Sequence, residues 1–180
     1  SQHNGPHVVD AEPIEFWESF RVGRRGRAEV IAELDLDAPL GAAGRQDGYA
    51  HLGIDVRRCL GLWPGRGLLI ADLWLGRAAI QRAVSRFLVP GDWLVKDGET
   101  AAFERGDRTV TVSTLVGAAG AVQPAEWWPR FAEAEPAHAL SLAAEPLGAE
   151  DMFGLVVLFH WGAPPDVDGR QILDQLKDRC

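Results

Sequence analysis

The sequence predicts an α+β fold: a largely antiparallel sheet with one long helix and several short helices packed on it. Three observations predict it. Residues 86–116 alternate strand-like runs with turn residues. Leu69, Leu73, Ile80, Val84 and Phe87 recur at helical spacing within residues 68–88. Residues 152–161 form an almost unbroken apolar run, the pattern of an interior strand covered on both faces.

Residues 1–12 are polar and aperiodic, so a disordered tail is expected ahead of a single α+β domain over 13–180. Residues 15–22 and 27–34 flank Gly23-Arg24-Arg25-Gly26, which predicts a hairpin with a glycine-flanked tip. In its second arm Ala28, Val30, Ala32, Leu34 and Leu36 alternate with Glu29, Ile31, Glu33, Asp35 and Asp37. The glycine- and alanine-rich residues 38–48 predict a loop. Residues 49–56 predict a strand, with Leu52, Ile54 and Val56 on one face and His51, Gly53 and Asp55 on the other.

The long helix is assigned to residues 68–88 and ends at Pro90-Gly91, although its front half, LLIADLWL, equally suits a strand. A meander follows. Asp97-Gly98 fits a two-residue type I′ hairpin, whose central residues both need positive φ. Gly106-Asp107 makes the next turn, and the alternation through Val110, Val112 and Thr114 predicts a half-buried strand. Residues 124–145 carry Ala, Glu, Trp and Leu at helix-compatible spacing, and Pro129 and Pro136 divide them into short helices. After the apolar strand at 152–161, Asp168 is the N-cap of a final helix with Ile172, Leu173 and Leu176 as its stripe.

At 180 residues the chain buries roughly 70% of its extended surface, so its core requires no disulfide or metal staple. A net charge of −8 argues against life on nucleic-acid phosphates. Residues 1–120 carry 14 basic and 16 acidic groups, whereas residues 121–180 carry 4 and 10. The acidity is therefore concentrated in the last third. Lys96 and Lys177 are the only lysines, and the arginine, alanine and glycine bias suggests GC-rich bacterial coding. No run is long and apolar enough for a spanning helix. No secretory start is visible, and Cys59 and Cys180 have no metal-type spacing. A reducing cytoplasm is the expected compartment, with Cys59 an inert buried thiol.

Few patterns point to chemistry. GxSxG, GxxxxGK[ST] and GxGxxG motifs are missing, and Gly61 to Gly67 has the wrong spacing for a phosphate loop. No cofactor is expected, and the sequence leans away from an enzyme. His3 and His7 have Gly5-Pro6 between them, which denies the helix an HxxxH metal site needs. Glu29, Glu33, Asp35 and Asp37 read as the wet side of a sheet rather than a cation site, so no metal is expected. His51 and Asp55, about 13 Å apart along a strand, are too distant to hydrogen-bond. His160, at the end of the central strand, reads as a structural histidine; a pocket using His160 or His51 is the alternative.

Two features suggest binding. Adjacent Trp127 and Trp128 cannot both join one helix stripe, so one is expected at the surface, where tryptophan is enriched in binding hot spots. Arg24 and Arg25, at a hairpin tip, suit a carboxylate or phosphate. The sequence therefore points to a small bacterial protein-binding protein of the immunity or accessory type. It would meet a partner's basic surface through Trp127-Trp128 and the acidic last third. The alternative is a small enzyme or ligand binder with a pocket between helix and sheet.

Overall fold

A computed structural model describes residues 4–17, 21–32, 40–76, 82–96, 101–130, 132–148 and 151–178. Its strands are β1 (Gly5–Val8), β2 (Phe16–Trp17), β3 (Arg21–Val22), β4 (Ala28–Ala32), β5 (Leu40–Gln46), β6 (Ile54–Trp63), β7 (Gly67–Gly76) and β8 (Ala83–Pro90). They continue with β9 (Leu94–Lys96), β10 (Ala101–Arg105), β11 (Arg108–Val116), β12 (Val122–Arg130), β13 (Glu133–Ala143), β14 (Glu145–Pro146) and β15 (Met152–His160). A 3₁₀ turn, Ala50–Leu52, precedes β6, and one α-helix, α1 (Gly169–Asp178), follows β15.

The fold is an antiparallel two-sheet sandwich with α1 on its outer side. The large sheet runs β4-β5-β6-β7-β15-β11-β10-β9, with β14 also against β15. The small sheet runs β1-β8-β13-β12, and β2 and β3 form a separate ribbon. Between the sheets lie Val56, Ile70, Trp74, Leu155 and Val157, against Phe87, Val89, Leu140 and Leu142. The opposite face of the large sheet presents Cys59, Leu69, Leu73, Val156 and Leu158 to Ile172, Leu173 and Leu176 of α1. The central strands thus bury both faces.

The expected α+β class is overturned: among the described residues the one α-helix has ten residues. The long helix assigned to 68–88 is two strands, β7 and β8, in different sheets. Leu69, Ala71 and Leu73 face α1 while Ile70 and Trp74 face the small sheet. Burial on both sides fills nearly every position of β7 with apolar residues, Asp72 excepted, and erases the period-two signal, leaving a helix-like subset visible. The short helices assigned to 124–145 are the hairpin β12–β13. Pro124 and Pro129 are accommodated because β12 is an edge strand, where a missing N–H costs no ladder bond.

Other boundaries also move. Gly5–Val8, inside the expected disordered tail, is β1 and pairs with β8 from Gly5↔Arg86 to Val8↔Ala83. The hairpin expected between 15–22 and 27–34 is replaced by two pairings, β2 with β3 and β4 with β5. The loop expected at 38–48 contains β5, whose small residues lie against β6 from Leu40↔Leu62 to Gln46↔Val56. The strand expected at 49–56 begins only at Ile54, so His51 lies in the preceding turn and shares no strand face with Asp55. Asp97 and Gly98 are outside the described residues. On either side of them Lys96 pairs with Ala102. Gly106-Asp107 is a two-residue hairpin turn, closed by Arg105↔Arg108. Gly106 has φ 62°, which suits the first central position of a type II′ turn.

Two elements match their sequence pattern. β15 is an interior strand, between β7 and β11. Asp168 Oδ1 accepts the N–H groups of Arg170 at 2.9 Å and Gln171 at 3.2 Å, capping α1.

Val157 is fully buried in the inter-sheet core and pairs with both Ile70 and Thr114. Val157→Asp would place an unpaired charge there at a cost of several kcal/mol. The variant is expected to be lost from the soluble fraction on expression, whereas Val157→Ile remains folded by circular dichroism.

Candidate functional site

The polar surface feature nearest to a site surrounds the β2–β3 ribbon. Glu15 N donates to Arg24 O, and Gly23 N donates to Glu15 O, closing the ribbon at its base. A Cβ on Gly23 would lie 2.5 Å from the Trp17 ring, so glycine permits the indole to lie against the backbone. Trp17 is 57% exposed, and its Nε1 donates to Glu15 Oε1 at 3.0 Å. Arg24 donates from Nη2 to Glu12 O at 3.2 Å and lies 3.9 Å from the Glu15 carboxylate. Its Nε is buried without a hydrogen-bond partner. Arg21, Arg25 and Arg27 are exposed around this ribbon.

Beside the ribbon is an open notch of about 540 Å³, lined by Asp10, Glu12, Glu15, Arg24, His51 and Leu52 among others. The fold therefore brings together two residues singled out separately in the sequence, Arg24 and His51. It does not join His51 to His160. These lie at opposite ends of β6 and β7, because Ile54 pairs with Gly76 while His160 pairs with Gly67 next to Trp63. Ten-residue strands separate the ends by about 30 Å.

His160 is buried. Gly162 O can only accept, so the 3.0 Å contact assigns the proton to Nδ1. Nε2 then accepts the Ser113 hydroxyl at 3.1 Å. Both ring nitrogens are satisfied at the sheet end, as a structural histidine requires. Between α1 and the sheet lie the buried side chains of Ile172, Leu173 and Leu176.

Trp127 and Trp128 occupy β12 rather than a helix, and they are 38% and 47% exposed. Both are thus available, with exposed Glu126, Glu133 and Glu135 close in register, Trp127 pairing with Glu135.

A buried polar cluster had no sequence signal. Asp72 of β7 is fully buried. It accepts two hydrogen bonds from Arg58 of β6, at 2.6 Å from Nε and 2.7 Å from Nη2, and a short one from Ser85 Oγ of β8. Arg58 also lies 5.8 Å from the Phe87 ring centroid, within cation–π range. The trio links the two sheets. In sequence its members sit 14 and 13 residues from Asp72 and share no motif. Burial pushes the Cys59 thiol up to about 12, with the Asp72 charge adding to the rise. Cys59 is therefore a neutral thiol at physiological pH, not a nucleophile. Among the described residues no group of three or more His, Cys, Asp or Glu side chains is placed to hold a metal. His7 and Glu29 are described, whereas His3, Glu33, Asp35 and Asp37 lie outside those residues. No helix among the described residues is long and apolar enough to cross a membrane.

No protein-family model matches the sequence, and no curated protein matches it. Solved structures do share the fold. Heparan sulfate lyase HepC from Pedobacter heparinus aligns with a TM-score of 0.59 at 9% identity, over 78% of this chain and 22% of that one. A heparinase III, the BT4657 gene product with methylated lysines, aligns with a TM-score of 0.59 at 12% identity, over 77% and 22%. This chain therefore spans only about a fifth of the length of those structures. At such identity the likeness defines a fold: an antiparallel sandwich of the kind found within these larger chains.

Removing one member of the cross-sheet trio has unequal costs. Asp72→Ala leaves the Arg58 guanidinium without its partner and is expected to lower unfolding free energy by about 3 kcal/mol. Ser85→Ala removes one donor and costs about 1 kcal/mol. Urea denaturation of the two variants measures the difference.

Proposed function

We propose that this chain is a β-sandwich module of a polysaccharide-degrading protein of the lyase type, and that its β2–β3 ribbon contacts an acidic glycan. The observation that supports this reading is the exposed Trp17 beside Arg21, Arg24 and Arg25, on a sandwich similar to a part of two polysaccharide lyases. An indole face stacks on the C–H face of a sugar ring and covers apolar area at low entropic cost. Guanidinium forks pair with uronate or sulfate oxygens. The polar notch beside the ribbon offers hydroxyl partners in Glu12, Glu15 and His51. Charge distribution agrees with the location: the first two-thirds of the chain are close to neutral, whereas the last third would repel a polyanion.

The β12–β13 hairpin supports a second reading, a protein partner with a basic surface. Its specific support is the joint exposure of Trp127 and Trp128 among acidic residues. Pro124 and Pro129 lie on the same edge strand, so recognition there would proceed through side chains rather than by adding a strand.

Affinity electrophoresis in gels containing heparan sulfate, with neutral dextran as control, separates the readings. The glycan reading expects retardation by heparan sulfate alone, weakened about five- to tenfold by Trp17→Ala or Arg25→Ala, and reduced as salt rises. Trp128→Ala should leave it unchanged. Equal mobility in both gels, or retardation indifferent to Trp17 and Arg25, overturns it. Loss of binding to a captured protein in Trp128→Ala, through faster dissociation, would favour the second reading.

A further inference from the structure

A second cavity, of about 330 Å³, opens between the two sheets at the end of the sandwich where β7 begins and β15 ends. It lies across the molecule from the notch beside Trp17. Leu68, Phe87, Trp93, Phe103, Val110 and Phe159 line it, and Arg58 stands in its wall. Phe87 and Phe159 meet edge to face at 5.2 Å. The volume falls within the range of small-molecule sites, and a mostly apolar wall with a few placed polar groups, here Arg58 and Asn4, is the usual composition of such sites.

The state of Arg58 gives the cavity its selectivity. Nε and Nη2 both donate to Asp72, which is held from behind by Ser85. One edge of the guanidinium fork is therefore fixed, and with it the plane of the group. Among the described residues Nη1 makes no hydrogen bond. A pre-oriented donor edge beside hydrocarbon walls favours a carboxylate over a neutral head group through charge-assisted bonds, a preference that the Asp72 carboxylate on the opposite edge of the fork reduces. A lining with few hydrogen-bonding groups favours an apolar body over a hydroxyl-rich sugar.

We propose that this cavity binds an amphiphilic monocarboxylate, a medium-chain fatty acid in shape, with its carboxylate on the free edge of Arg58 and its hydrocarbon among Phe87, Trp93, Phe103 and Phe159. The site is independent of the glycan reading and shares no residue with it.

Isothermal titration of the full chain with decanoate, below its micelle concentration, tests the site against decan-1-ol. One saturable site is expected, with decanoate bound roughly tenfold or more tightly than the alcohol. Val110→Trp fills the cavity and should abolish the heat, while its circular dichroism remains that of the parent. Arg58→Lys keeps a charge but loses the fork, and should bring decanoate towards the affinity of the alcohol. If Arg58→Lys fails to fold, the comparison of acid with alcohol and the Val110→Trp result still decide. Absence of saturable binding, equal affinity for the two ligands, or undiminished binding in folded Val110→Trp overturns the proposal.

Discussion

The large sheet exists as one sheet only because β15 lies between β7 and β11. Remove that strand and the remaining order separates into β4-β5-β6-β7 and β11-β10-β9. Holding this central position obliges β15 and its neighbours to bury both faces, one against the small sheet and one against α1. Polar groups on these strands must then be satisfied inside whichever layer they enter. Consecutive arginines on β6 show the rule. Arg58 turns towards the small sheet and is paired by Asp72. Arg57 turns towards the helix, where Nη1 donates to Leu176 O at 2.9 Å and Lys177 O at 2.8 Å. That contact satisfies carbonyls at the C-terminal end of α1, where a positive charge is also favoured by the helix dipole.

Legibility in the sequence followed the number of wet faces. β11 has one dry and one partly wet side, and its alternation of Val and Thr was readable. β15 was readable for the opposite reason: no residue from Leu155 to Phe159 is polar, and Pro164-Pro165 ends the segment. β7 is equally buried, but Asp72 interrupts its apolar run and made the spacing of Leu69 and Leu73 look helical. β12 and β13 are mostly exposed over residues 126–136, so no dry face imposed a period, and Ala, Glu and Trp left only helical propensity to read. β5 is masked by Gly41, Ala42, Ala43 and Gly44, which resemble a loop in composition. Ala42, Ala43 and Gly44 form the floor of an open groove of about 430 Å³ between β4, β6 and Pro6.

The candidate sites divide in the same manner. Trp127, Trp128, Arg24 and Arg25 were visible because each is unusual locally. Trp17 was not, because the approach of Gly23 to its ring is a contact across the ribbon with no local signal. The Arg58, Asp72 and Ser85 trio was invisible because its members belong to three strands in two sheets. The edges of the small sheet are similarly defended by unrelated residues. Tyr49 Oη accepts the Val8 N–H at 3.4 Å, and Pro6 has no N–H to offer, so β1 presents few free donors for another strand.

The position of β15 also sets an order of events during synthesis. Gly67 must find His160 and Trp74 must find Phe153, partners that leave the ribosome long after β6 and β7 have formed their local hairpin. Until then β7 carries an unsatisfied edge and two apolar faces. The fold is thus one of high contact order, in which loop-closure entropy is spent before the decisive contacts form. A nascent chain ending before residue 152 has most of the strands but no centre, which makes the interval before β15 emerges the period of greatest exposure to aggregation.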